Sequence, residues 1–134
     1  MVKTRGLTHI ALAVRDPERS FRFYQHLLGV ISVYRSEHFI QAQTPGSFDA
    51  LVFEKDVERA GSGGGIIHFG FRLASPADIE AAAGAVLQAG GTIRDQGEFC
   101  PGEPYLFCID PDGYEVEIWY EPATPVDPPP AAIS

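Results

Sequence analysis

The sequence predicts an α+β fold built from two βαβββ modules, and three observations carry that prediction. The first is an internal echo. From His9, the run His-Ile-Ala-Leu-Ala-Val-Arg-Asp-Pro ends at Pro17; from His68, His-Phe-Gly-Phe-Arg-Leu-Ala-Ser-Pro ends at Pro76. Each stretch alternates apolar residues as a strand does, and each proline opens a helical pattern. Second, the two halves are offset by 59 residues, too long for a solenoid repeat and right for a duplicated supersecondary unit. Third, three short strand patterns separated by turn signals follow each helix. With 134 residues, the chain is long enough to bury one core without staples.

Module one spans residues 5–55. Its first strand, Leu7 to Val14, puts Ile10, Leu12 and Val14 on one face and His9, Ala11 and Ala13 on the other. The large side chains are expected to pack on a helix, leaving space beside His9. Asp16 is an N-cap, and Pro17 sits in the first helical turn, where its missing N–H costs nothing. Phe21, Tyr24 and Leu28 recur at helical spacing, and Gly29 is the natural C-terminal stop. Strands follow at Val30–Arg35, His38–Gln43 and Phe48–Glu54, with Thr-Pro-Gly-Ser at 44–47 turning between the last two.

Module two spans residues 65–121 and repeats the plan. Ile66–Leu73 is the strand, with Ile67, Phe69, Phe71 and Leu73 facing away from His68, Gly70 and Arg72. Ser75 caps, Pro76 follows, and Asp78 suits the positive end of the helix dipole. Ile79, Ala83, Val86 and Leu87 form the buried stripe, and Gly90-Gly91 ends it. The remaining strands read Thr92–Glu98, Tyr105–Ile109 and Tyr114–Tyr120, the last two joined by Asp110-Pro111-Asp112-Gly113. The glycine-rich stretch from Arg59 to Gly65 lacks a phosphate-loop pattern and reads as a flexible linker. Residues 1–121 thus form a single domain. The Pro-rich tail at 122–134 has too little apolar content to fold alone and is expected to be extended or disordered.

Composition narrows the partners. At 45% hydrophobic and 21% charged, the chain reads as an ordinary soluble domain. A net charge of -8 leaves no basic stripe to neutralise phosphates, so nucleic acid is not an expected partner. No apolar stretch approaches the roughly 20 residues that span a bilayer, so no membrane role is expected. The short start before the first strand leaves no room for a signal peptide. Cys100 and Cys108 form no Cys-x-x-Cys pair and are expected to be reduced, which fits a cytoplasmic setting.

The candidate chemistry lies on three strands. Glu115 and Glu117 share a face of the last strand, opposite Val116, Ile118 and Tyr120. A glutamate is costly on a central strand unless a cation faces it. His9, His68 and a carboxylate from this strand, Glu115 or Glu117, together make a candidate facial metal site, which suits Fe, Mn, Zn or Ni. Arg72 shares the His68 face and is a candidate to hold a substrate anion, since its guanidinium forks onto carboxylates; pairing with Glu115 explains it equally well. Glu115, Glu103 and Tyr105 are candidate acid–base groups, although loop exposure for Glu103 and packing for Tyr105 are the simpler readings. The cysteines read as small core or loop residues.

Thr-His-Ile-Ala-Leu-Ala-Val with the following Asp-Pro-Glu-Arg-Ser-Phe-Arg-Phe-Tyr-Gln-His-Leu-Leu-Gly-Val resembles the opening module of the vicinal oxygen chelate superfamily. Asp-Pro-Asp-Gly-Tyr-Glu-Val-Glu-Ile-Trp resembles its closing motif. The superfamily includes glyoxalase I, extradiol dioxygenases, fosfomycin-resistance transferases, methylmalonyl-CoA epimerase and bleomycin-binding proteins. The resemblance covers residues 5–121 and implies curved mixed sheets around a metal-binding cleft, with His9, His68 and Glu117 as ligands. It also implies a small oxygenated substrate chelated to a divalent metal, lyase, isomerase or dioxygenase chemistry, and a homodimer. A thiol transferase and a non-catalytic drug-binding module are the alternatives. The chain departs from each named member. Aligning Phe48–Glu54 on Tyr114–Tyr120 puts Leu51 where glyoxalase I and the epimerase place a fourth ligand; Glu54 has the wrong parity for it, and Asp49 needs a two-residue shift. Phe107 stands where extradiol enzymes carry a tyrosine, and their further histidine has no counterpart between His68 and Glu117. Ala11 replaces the threonine of the fosfomycin enzymes.

Overall fold

The computed structural model describes residues 1–129 and has the two-module α+β architecture that the repeat predicts. Module one comprises β1 (His9–Val14), α1 (Pro17–Leu28), β2 (Ile31–Arg35), β3 (Phe39–Gln43) and β4 (Ala50–Lys55). Module two comprises β5 (Phe69–Arg72), a single 3₁₀ turn (Pro76–Asp78), α2 (Ile79–Gln88), β6 (Thr92–Glu98), β7 (Pro104–Ile109) and β8 (Glu115–Trp119). Each module forms its own four-stranded mixed sheet, ordered β1-β4-β3-β2 and β5-β8-β7-β6. The first and last strands of each module pair in parallel, and the other pairs are antiparallel. Consequently β1, which opens at His9, and β5, which follows His68, are both edge strands.

The apolar pattern decides which face each sheet buries. Leu12, Val14, Ile40, Leu51 and Phe53 turn toward α1, where Phe21, Phe23 and Tyr24 are buried. Tyr24 stacks on Phe53 with ring centroids 5.4 Å apart. Asp16 caps α1 through the N–H groups of Glu18 and Arg19, and Gly29 ends it at φ 71°, a left-handed conformation that suits glycine. In module two, Leu106, Cys108, Val116 and Ile118 are buried beneath Ile79, Ala83 and Val86 of α2. No helix among the described residues is long and apolar enough to cross a membrane.

The Asp110–Gly113 turn also joins the modules. Asp112 has a fully buried side chain, and its Oδ1 accepts bonds from the Arg15 N–H at 3.0 Å, Arg15 Nη1 at 3.1 Å and Arg19 Nη2 at 3.2 Å. Its Oδ2 accepts from Ser20 Oγ at 3.1 Å. The Tyr24 hydroxyl donates to Asp110 at 2.7 Å, and the Tyr114 hydroxyl donates to the Ala13 carbonyl at 2.8 Å. Burial raises the Asp110 carboxyl above its ordinary range, while the bonds from Tyr24 and the Tyr114 and Asp112 N–H groups oppose the shift.

Four expectations need revision. Leu87, expected in the buried stripe of α2, is exposed, and Ala82 is buried there with Ile79, Ala83 and Val86. Ile66 and Ile67 are exposed, and β5 begins at Phe69, because the segment leaving Gly63 still turns there: the Ile66 N–H bonds back to the Gly63 carbonyl. The linker is also fastened at one point. Gly61 has φ +83°, and a Cβ there would lie 2.4 Å from the Asp112 carbonyl oxygen. The start of the tail is folded back rather than free: the N–H and hydroxyl of Thr124 donate to Asp127, and Asp127 pairs with Arg72. The expectation of disorder at 130–134 lies outside the described residues.

Candidate metal centre

Alternation along β5 and β8 builds one polar face. Gly70 pairs with Glu117 and Arg72 with Trp119, so these side positions share a side of the sheet. A Cβ on Gly70 would approach the Glu117 Cβ at 3.3 Å and its Oε1 at 3.5 Å, so glycine is what leaves room for the carboxylate. His68, just before β5, brings its Nε2 to 4.0 Å from Glu117 Oε2. The Phe107 ring, in register with Glu117 on β7, meets the imidazole edge-on at 5.2 Å. Burial raises the Glu117 carboxyl above its ordinary range, His68 opposes that shift, and Glu121 and Glu115 add to it. A cation beside the pair would relieve this cost.

His9 is placed differently. It opens β1 in the other sheet, exposed, with its Nδ1 2.6 Å from the Thr8 hydroxyl. Among the described residues of one chain, no three His, Cys, Asp or Glu side chains are grouped closely enough to hold a metal ion. One chain therefore brings together His68 and Glu117 but not His9. The donor types suit a divalent ion, and their number is one short of the expected triad.

The β1–β4 register also corrects the alignment of the first module. Ala11, two residues after His9, pairs with Val52, just as Gly70, two residues after His68, pairs with Glu117. The counterpart of Glu117 is therefore Val52, and Leu51 faces the core. Glu54 shares the parity of Val52, contrary to the sequence alignment, and pairs with Ala13 one step further along. The fourth-ligand position still holds an apolar residue.

The other candidates are spread along the second sheet. Glu115 lies two residues from Glu117 on the same face, and its Oε1 accepts from Arg94 Nη2 at 2.6 Å. Arg94 also lies over the Phe107 ring, 4.9 Å from its centroid. Tyr105 donates its hydroxyl to Asp95 at 3.1 Å and stacks on Phe99 at 4.0 Å; burial and that bond raise its pKa. Glu103 precedes β7, four residues from Phe107 and so roughly 13 Å along the strand. Arg72 bonds to the tail rather than to Glu115. Sequence reading missed Arg94 as the partner of Glu115, because a register shift between Ile93 and Asp95 breaks the alternation that would have placed it. A cleft of about 650 Å³ opens between the modules, lined by Ala11, Ala13, Glu54, Arg59, His68 and Glu115 among others.

The model of the Glyoxalase/Bleomycin resistance protein/Dioxygenase superfamily matches residues 6–118, and the chain belongs to that superfamily. Among solved structures, it is similar to the fosfomycin resistance protein FosX of Mesorhizobium loti, with a TM-score of 0.74 at 19% identity, covering 90% of this chain and 95% of that one. A glyoxalase-related enzyme from Fulvimarina pelagi matches with a TM-score of 0.74 at 22% identity, over 92% and 94% of the two chains. The lactoylglutathione lyase of Agrobacterium tumefaciens matches at 0.68 and 16%, over 87% and 94%. At these identities the structural matches establish the fold and leave the reaction open.

Proposed function

We propose that this protein is a metal-dependent enzyme of the glyoxalase and dioxygenase type, acting on a small oxygenated substrate in a homodimer. The carrying observation is the His68–Glu117 pair at 4.0 Å, with a glycine opposite the carboxylate. His68 and Glu117 would hold the ion, and His9 of a second copy would complete the set. The unpaired edges of β1 and β5 support that assembly, since each leaves backbone groups without a sheet partner. A divalent ion in this position supplies Lewis-acid polarisation of substrate oxygens.

The chain's own groups define the rest. Phe107 buttresses the His68 ring, and Gly70 keeps the floor open beside Glu117. Glu115 is the proton acceptor best placed near the pair, with Oε1 held by Arg94 and Oε2 left to meet a substrate proton. Tyr105 and Glu103 serve as wall and rim, given where their side chains or loop lie. Arg72 would hold an acidic group at the far end of the same face.

The test pairs metal analysis with subunit complementation. His9→Ala and His68→Ala chains should each lose metal, and co-expressed chains should regain it, because one composite site in the mixed dimer is intact. Failure to regain metal overturns the shared site. A second reading, a metal-free drug-binding module, is favoured by the two-donor count in one chain; wild-type protein that takes up no divalent ion would establish it. Turnover that leaves glutathione joined to the substrate carbon as a stable thioether would instead identify the thiol transferase.

A further inference from the structure

Arg72 is held by the chain's own tail in the manner of a bound acid. Its Nη2 donates to Asp127 Oδ2 at 2.9 Å and its Nη1 to Oδ1 at 3.3 Å, a two-pronged fork on one carboxylate. The same guanidinium donates to the Pro122 carbonyl at 2.9 Å and the Glu121 carbonyl at 3.3 Å. Asp127 is oriented in turn by the N–H of Thr124 at 3.0 Å and its hydroxyl at 2.8 Å. Resting on the proposed function, we infer that residues 121–127 form a strap whose Asp127 carboxylate occupies an acid-binding subsite at Arg72, and that a substrate with an acidic end displaces it.

Geometry ties this subsite to the His68–Glu117 face. Arg72 is two residues from Gly70, so the two positions lie roughly 7 Å apart on one side of β5. A molecule with metal-binding oxygens at one end and a carboxylate, phosphonate or phosphate at the other would span that distance. A second observation lies beside Arg72 in the ladder. The indole N–H of Trp119, the residue paired with Arg72, is buried without a hydrogen-bond partner among the described residues. Buried donors of this kind are seldom left unpaired, and no group of the strap accepts from this one.

The strap is suited to being displaced. Arg72, Glu121 and Asp127 all keep solvent access, and exposed ion pairs contribute little net stability. Its tethered carboxylate competes with any free anion through its high effective concentration. Removing that carboxylate should therefore tighten binding of an anion to Arg72 by about tenfold, the factor expected when the open state is populated about one-tenth of the time.

The chain's single tryptophan, Trp119, provides the readout. Inorganic phosphate is titrated at constant ionic strength, with a chelator present, into full-length wild type, Asp127→Ala and the double variant Asp127→Ala/Arg72→Gln, following indole emission. The expected result is tighter phosphate binding in Asp127→Ala than in wild type, lost in the double variant. Equal affinity in wild type and Asp127→Ala overturns the strap, as does phosphate binding that survives the loss of Arg72. No phosphate binding to Asp127→Ala also overturns it. A separate Co(II) titration without chelator distinguishes the two readings: loss of metal uptake with the phosphate shift intact sinks the metal centre alone, and the reverse sinks the strap alone.

Discussion

At the scale of single residues, small changes in space and charge decide what the polar face can hold. Glu117→Gln keeps the shape and loses the charge, so metal affinity should fall by more than the about 10- to 100-fold that outer-shell changes cost, with the far-ultraviolet spectrum unchanged. Gly70→Ala should also weaken metal binding, because its Cβ would lie 3.2 Å from the Glu117 carbonyl oxygen and 3.3 Å from its Cβ; calorimetric titration of Co(II) checks both variants. The two cysteines should separate by reactivity. Cys100 is exposed, whereas burial, with Asp110 nearby, pushes the Cys108 thiol from 9.0 up to about 12. Ellman's reagent should therefore label Cys100 in the native protein and Cys108 only after unfolding. A raised folded pKa means the neutral thiol contributes fully below 9.0, and that contribution is lost as pH rises toward about 12. Tyr24 shifts in the same direction, mainly through burial. Cys108→Ala should flatten the alkaline fall in stability across that window, as measured by urea unfolding.

At the scale of elements, the Asp110–Gly113 turn does more than reverse the chain. Asp112 receives four donors from the end of β1 and the start of α1, so a turn in module two holds the N-terminus of a helix in module one. Asp112→Ala strands a backbone N–H and a buried hydroxyl. It should cost about 3 kcal/mol, with the arginines discounted for their exposure. The urea midpoint should drop, and far-ultraviolet dichroism of the native state should stay the same. The turn was legible in the sequence because Asp, Pro and Gly have local conformational preferences. Its partners were not, since Arg15, Arg19 and Ser20 lie more than 90 residues away. Edge residues behaved similarly: the strand pattern located β5, while a turn at Gly63 to Ile66 set its start at Phe69.

At the scale of the whole molecule, two sheets with unpaired edges at β1 and β5 leave each histidine next to an open border. A stable dimer is expected, with an interface of at least about 1,000 Å² in total. Sedimentation equilibrium at micromolar concentration should report twice the chain mass, and a monomer there would count against the shared site. Superfamily members often dimerise and bind small molecules. For this chain, assembly and metal content should be tested together, because His9 lies away from the other two candidate ligands in a single copy.

The sequence by itself determined the module plan. Apolar alternation, Asp16 with Pro17, Ser75 with Pro76, and the stops at Gly29 and Gly90 are local signals, and local backbone preferences carry them. It also placed Glu115 and Glu117 on one face, because strand parity requires only a count. Tertiary structure decided everything that depends on register or on distant partners. It put Val52, rather than Leu51, opposite Ala11, gave Arg94 to Glu115, and turned Arg72 to Asp127. It also set His68 against Glu117 while leaving His9 in the other sheet. The reason is physical: a one-residue slip in pairing exchanges the faces of a strand, and hydrogen bonding fixes that slip only after the chain has closed on itself.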